Sequence, residues 1–128
     1  MNKMRSLLLG TVAVVWGTAA AYAAPPSGTW NINQNGTRGK LVLSFDGSNQ
    51  LGYPSALDNT QIRGFWDETS QKLIFYRVIN GGTGVPPTDL QVFTGYQFPG
   101  SLAGSFEAFA TAGGSPSRNV FGWYATTP

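Results

Sequence analysis

The stretch from Gln61 to Ile79 decides the fold, and it reads QIRGFW, DETSQ and then KLIFYRVI. Two runs rich in β-branched and aromatic residues flank a short polar connection, which is the pattern of a β-hairpin. In the first run, Ile62, Gly64 and Trp66 stand at every second position and therefore share one face of a strand. We therefore expect two antiparallel strands here, joined by a turn within residues 67–71.

The same apolar-x-Gly-x-aromatic phrase returns at Leu102-Gly104-Phe106 and at Val120-Gly122-Tyr124. Glycine weakens a strand interior, so its recurrence indicates tight curvature or a close approach to the backbone. Gly-, Asn-, Asp- and Pro-rich turns separate the other strand-like runs. The sequence predicts an all-β fold, an eight-stranded antiparallel up-and-down (meander) barrel. The predicted strands are 28–32, 39–45, 50–53, 61–66, 72–79, 90–98, 102–111 and 118–125.

The alternation in the last five predicted strands assigns side chains to the two faces of the barrel. Arg77 and Glu107 then face outward, as surface or interface ion-pair residues. Gly64, Gly95, Gly104 and Gly122 are expected to permit tight strand bending. The residues predicted to point inward are Ile62, Gly64, Trp66, Tyr76, Phe93, Phe106 and Tyr124.

Residues 1–23 have the pattern of a secretory signal peptide. Lys3 and Arg5 precede an apolar run over residues 7–16, which is too short to span a bilayer as a helix. Ala21-Tyr22-Ala23 then offers a small-x-small cleavage site. We expect residues 24–128 to form a single β-barrel domain that is secreted, periplasmic or extracellular, in a bacterium.

The composition excludes several classes of function. The leader carries two of the eight basic residues, so the remaining six cations balance the six anions and predict no nucleic-acid or membrane partner. The chain has no cysteine and no histidine, which removes the thiol nucleophile, the usual general base and the common zinc ligands. We therefore expect no enzyme activity, no cofactor and no metal site.

Several short motifs follow one another along residues 24–128. They are Gly28-Thr29-Trp30, Asn33-Gln34-x-Gly36-Thr37, Tyr53-Pro54-Ser55, Tyr76-Arg77, Val92-Phe93-Thr94-Gly95 and Gly122. In order and spacing they resemble the avidin/streptavidin family of small calycin-type barrels. The resemblance implies a ligand site inside one end of the barrel.

Carried over by position, the resemblance implies a polar group and an aromatic group of site residues. The first is Asn33, Thr37, Tyr53 and Ser55, which would hydrogen-bond a polar head group, and the second is Tyr76, Phe93 and Phe106. Tyr124 falls where the family has a better hydrogen-bond acceptor, and positions 76 and 106 would carry Trp there. These departures predict that biotin binds weakly or not at all.

The function predicted from the sequence is a secreted, non-enzymatic small-ligand-binding barrel. Because the predicted lumen holds no countercharge, we expect a neutral ligand. The alternative is an exported protein-interaction module, such as an inhibitor or envelope component, whose barrel is filled by aromatic side chains. Strands that are apolar on both faces, such as the one with Phe75 beside Tyr76, also predict a homo-oligomer.

Overall fold

A computed structural model describes residues 24–79, 89–110 and 117–128, all of which lie in strands, turns or irregular segments. The nine strands are β1 (Gly28–Gln34), β2 (Thr37–Leu43), β3 (Ala56–Leu57), β4 (Thr60–Gln61), β5 (Arg63–Asp67), β6 (Lys72–Ile79), β7 (Asp89–Phe98), β8 (Ser101–Ala110) and β9 (Ser117–Thr126). The predicted leader, and most of each loop predicted after β6 and β8, lie outside the described residues. In the described part, no helix could span a membrane.

The strands form one antiparallel sheet in the order β4-β3-β2-β1-β9-β8-β7-β6-β5. Chain neighbours pair with each other, except for β4 with β5, and the first long strand also pairs with the last: Ile32 lies opposite Ala125. The β1–β2 connection is Asn35-Gly36, with φ of 48° and 92°, the positive values that a two-residue hairpin turn of type I′ requires. The predicted all-β antiparallel barrel is thus confirmed, as a nearly closed sheet.

The prediction of eight strands was wrong, because the segment predicted as the fourth strand is two strands and β3 lies between the predicted third and fourth strands. β4 and β5 are the two edges of the sheet, and the buried residue Ile62 alone separates them along the chain. The predicted third strand, 50–53, contributes only isolated bridges, of which one joins Gln50 to Phe65. The Trp66 backbone N–H donates to the Asn49 backbone carbonyl at 2.8 Å and connects β5 to this segment. The chain itself therefore closes most of the ring.

The predicted inward register was right for some strands and wrong for others. Ile62, Trp66, Phe93 and Phe106 are buried as expected, and Gly64 lies opposite the buried Phe75. Tyr76 and Tyr124 were assigned to the wrong face: they are 40% and 53% exposed on the outside. Since neighbouring residues of a strand face opposite ways, Phe75 and Trp123 are inside in their place.

Aromatic rings fill the middle of the barrel. Phe75, Phe93 and Phe106 are directly opposite one another on β6, β7 and β8. Their rings form a continuous stack with centroids 4.6 Å apart at both steps. The Trp123 indole meets Phe93 edge-on at 6.1 Å, and its N–H lies 3.2 Å from the Thr94 carbonyl and 3.1 Å from the Ser105 carbonyl. The centre of the barrel is therefore a packed core.

Two of the four predicted glycines lie on β7 and β8 next to Trp123. Gly95 and Gly104 face each other across β7 and β8, and Gly104 also pairs with Trp123 on β9. A Cβ atom at Gly95 would come within 2.5 Å of the indole carbon Cζ2. Gly122 is different, because it is exposed and an added Cβ would lie 4.0 Å from the Gly104 carbonyl oxygen. The absence of a side chain at Gly95 thus makes room for the Trp123 indole, and its absence at Gly104 lets the backbones of β7 and β8 approach closely.

Candidate functional site

A cavity of about 270 Å³ lies above the aromatic stack, at the barrel end that carries the β1–β2 turn. We call it the end cavity. Its polar residues are Gln34, Asn35, Thr37, Asp58, Arg77 and Gln91, and its apolar residues are Phe106, Ala108 and Phe121. One wall of the cavity consists of Arg77, Gln91 and Ala108. The sheet register places them side by side, because they are successive cross-strand partners on β6, β7 and β8.

Arg77 is the charged group of the end cavity and is half-buried. Its Nε donates to Gln91 Oε1 at 2.6 Å, its Nη2 to Gln34 Oε1 at 3.3 Å and its Nη1 to the Leu57 carbonyl at 3.3 Å. All three acceptors are uncharged. Within the described residues, no carboxylate comes within 4.0 Å of Arg77, since the ion pair found there joins Arg118 to Glu107. Arg77 is thus a partly desolvated cation held by neutral oxygens.

The electrostatics of the end cavity depend on Arg77 and on Asp58 near its rim. Burial lowers the pKa of Arg77, and the charge of Asp58 raises it. Asp58 is exposed, and its Oδ1 accepts a hydrogen bond from the Lys40 backbone N–H at 2.8 Å. Water screens an exposed carboxylate far more than a half-buried guanidinium. The cavity therefore has a positive floor and a screened negative rim.

The prediction that Arg77 faces outward was wrong, and it followed from placing Tyr76 inside. The register of the hairpin in the structure gives the correct assignment. Asp67 pairs with Lys72, and directly paired residues share a face, so an inward Trp66 requires an inward Leu73. Every second residue after Leu73 lies on the same inner face of the strand, and these residues are Phe75 and Arg77.

Glu107 does face outward, as predicted. Its two carboxylate oxygens accept hydrogen bonds from Arg118 at 2.9 and 3.0 Å. The hydrogen bond from Arg118 lowers the pKa of Glu107. A lowered carboxyl pKa stabilises the fold above the ordinary pKa of Glu, and this contribution is lost as the pH falls through the folded value. The effect is small because both side chains are exposed.

Three of the eight residues predicted from the resemblance lie in or beneath the end cavity. Thr37 and Phe106 line it. Phe93 is fully buried one strand away, where its ring stacks on Phe106. The polar partners Gln34 and Gln91 were missed, because a lone Gln in a strand carries no sequence signal that separates it from a surface residue.

Two further predicted residues have local structural contacts instead. Asn33 Oδ1 accepts the Gly36 backbone N–H at 2.7 Å and stabilises the β1–β2 turn. Ser55 is buried, and its hydroxyl accepts the Ser44 N–H at 2.9 Å and donates to the Ser44 carbonyl at 3.1 Å. These bonds use the polar atoms that the resemblance assigned to a ligand.

The structure does not bring the three predicted tyrosines together. Tyr53 is 91% exposed, and Tyr76 and Tyr124 are on the outer surface of β6 and β9. Neither Tyr76 nor Tyr124 can form an aromatic wall inside the barrel from that face. The ligand-binding role of all eight residues stays a prediction.

A larger cavity, about 510 Å³, is a groove on the outside of β1, β2 and β9. Its lining includes Asn31, Arg38, Lys40 and Tyr124, and Lys40 Nζ donates to Asn31 Oδ1 at 2.7 Å. These four residues are exposed. Polar interactions are stronger where water is partly excluded, so the smaller end cavity with its half-buried cation is the better candidate site.

No known protein family, curated protein or solved structure matches this chain. The likeness to the avidin/streptavidin family therefore stays a prediction. Within the described residues, no three acidic, His or Cys side chains gather in a way that could hold a metal ion. In the end cavity, Arg77 can pair with an opposite charge, and Arg77, Gln34 and Gln91 can form hydrogen bonds. An aromatic wall lies beside them.

Proposed function

We propose that this protein is a non-enzymatic, exported barrel that binds a small molecule in its end cavity. The observation that carries this proposal is Arg77, a half-buried cation with uncharged partners, placed in a cavity beside Phe106 and Phe121. Apolar walls with a few placed polar groups are typical of small-ligand sites. The volume of about 270 Å³ favours a ligand smaller than most cofactors.

The proposed position differs from the deep lumen that the resemblance implies. The stack of Phe75, Phe93 and Phe106 and the Trp123 indole occupy the middle of the barrel. A ligand that entered the lumen from this end would meet the ring of Phe106 first. The end cavity is therefore the part of the interior that we assign to a ligand.

Filling the end cavity is expected to abolish binding. Ala108 lines it, so Ala108→Phe should remove the affinity for any ligand found there. The measurement is ligand-observed NMR on a set of neutral, acidic and basic fragments. Ala103→Phe is the matched control, since Ala103 lies on the outer face of the same strand, beside Tyr96 and Tyr124.

In this experiment, the circular dichroism spectrum and melting temperature show whether each variant folds. Fragments that bind the wild type and both variants equally would place the ligand elsewhere. A set in which nothing binds the wild type would contradict the proposed function.

A second function, a protein-interaction module that forms a homo-oligomer, is favoured by the filled centre of the barrel and by its outer surface. Phe65, Tyr76 and Val78 on β5 and β6 are exposed apolar side chains. Contiguous exposed apolar patches mark interaction surfaces. We expect Val78→Lys to lower the association state in sedimentation velocity. A wild type that is monomeric at every concentration would contradict self-association.

A further inference from the structure

We infer that the end cavity selects a ligand with a carboxylate attached to a small, flat apolar group. This inference rests on the proposed function and makes it more specific. It replaces the neutral ligand expected from the sequence, which depended on a lumen without a countercharge. Arg77 on the inner face removes that premise.

The donor inventory of Arg77 favours an oxyanion. A guanidinium has five N–H groups, and three of them bond to described residues. Nη1 and Nη2 each use one of two hydrogens in these bonds, so among the described residues each terminal nitrogen has one N–H left for a ligand. Two N–H groups on a planar fork match the two oxygens of a carboxylate.

The energetics of burial point the same way. Among the described residues, Arg77 is partly removed from water and hydrogen-bonded to neutral oxygens, which do not provide the compensation that a directly bonded opposite charge would. Gln34 and Gln91 orient the guanidinium but do not neutralise it. An anionic ligand would supply the missing charge where water is partly excluded, which strengthens the pairing.

The walls of the end cavity select the rest of the ligand. The rings of Phe106 and Phe121 lie with centroids 5.2 Å apart and form one apolar wall. Ala108 beside them leaves space that a larger residue would fill. A volume of about 270 Å³ holds about nine non-hydrogen atoms, if each takes the roughly 30 Å³ that a water occupies in the liquid. Benzoate is a probe of this size and shape.

Asp58 is the group that opposes this inference, since its carboxylate near the rim would repel an anion and attract a cation. Burial lowers the pKa of Arg77, and the charge of Asp58 opposes this effect without cancelling it. Asp58 is nevertheless exposed and hydrogen-bonded to Lys40. A comparison of ligands of the same shape and different charge shows whether Arg77 or Asp58 has the larger effect on binding.

The test uses benzoate, benzamide and benzamidinium, which share one ring and carry charges of −1, 0 and +1. In isothermal titration of the wild-type protein at neutral pH, benzoate should bind about tenfold or more tighter than benzamide, and benzamidinium the most weakly. Arg77→Gln should remove the preference for benzoate while keeping the affinity for benzamide. Arg38→Gln removes the same charge from the outer face of β2 and should leave all three affinities unchanged.

The comparison in the wild type needs no variant, so a poorly folded Arg77→Gln protein does not leave the inference untested. Equal binding of benzoate and benzamide, both abolished by Ala108→Phe, would overturn the selectivity and keep the proposed function. Tighter binding of benzamidinium would show that Asp58 dominates and would also overturn it. If none of the three binds, the inference fails, and the fragment set then decides the proposed function separately. Inorganic phosphate that binds as tightly as benzoate would overturn the role given to the aromatic wall.

Discussion

Replacing Phe93 with alanine is expected to lower the free energy of unfolding by about 3–5 kcal/mol. Phe93 is fully buried at the centre of the stack, with Phe75 on one side and Phe106 on the other, both at 4.6 Å. The substitution removes two stacked contacts and the edge contact with Trp123, and leaves a void that the β-strand backbone cannot close. Urea denaturation followed by tryptophan fluorescence measures the change.

Phe98→Ala is the matched control for this substitution. Phe98 ends the same strand but is 52% exposed, so its truncation should cost about 1 kcal/mol or less. Similar losses for Phe93→Ala and Phe98→Ala would contradict the stack as the centre of the core.

Gly104→Val is expected to lower the free energy of unfolding by about 3 kcal/mol or more. A Cβ atom at this position would overlap the Thr94 carbonyl oxygen and come within 2.5 Å of the Gly95 Cα. Both contacts are with the backbone of the neighbouring strand, so no side-chain rotation can relieve them.

Gly122→Val separates this steric effect from the general cost of changing a strand glycine. Gly122 has the same place in its sequence phrase as Gly104, but it is exposed and an added Cβ would meet nothing closer than 4.0 Å. The substitution should therefore change stability by no more than about 0.5 kcal/mol. If both valine variants unfold at the wild-type urea midpoint, the close approach of β7 and β8 has no energetic consequence.

The two candidate functions use different parts of one aromatic-rich chain. Inward aromatics such as Phe93 and Trp123 form the core, and Phe106 also forms part of the end-cavity wall. Outward ones such as Phe65 and Tyr76 remain available for a partner. The sequence predicted this surplus of aromatics, but it could not say which ring belonged to which surface.

Local patterns predicted the fold class because strands and turns depend on residues close together in the chain. The Asn35-Gly36 turn, the Pro99-Gly100 turn and the hairpin around Asp67 all lie where the sequence indicated. Alternation failed where both faces of a strand are apolar, since the period of two then identifies two faces without saying which is inside. Phe75 and Tyr76, and Trp123 and Tyr124, are the pairs in which this ambiguity produced the wrong register.

Composition and turn chemistry were enough to predict an antiparallel barrel and to show that the chain has no cysteine and no histidine. The candidate site, in contrast, depends on contacts between distant parts of the chain. Arg77 lies near Gln34, 43 residues earlier, and near the Leu57 carbonyl, 20 residues earlier, because closing the sheet brings β1, β3 and β6 to one end of the barrel. Such contacts depend on strand order and on which face turns inward. Their physical cause is the packing of Phe75, Phe93, Phe106 and Trp123, which turns one face of β6, β7, β8 and β9 toward the core. Arg77 lies on the same face of β6 as Phe75, so its guanidinium is inside as well.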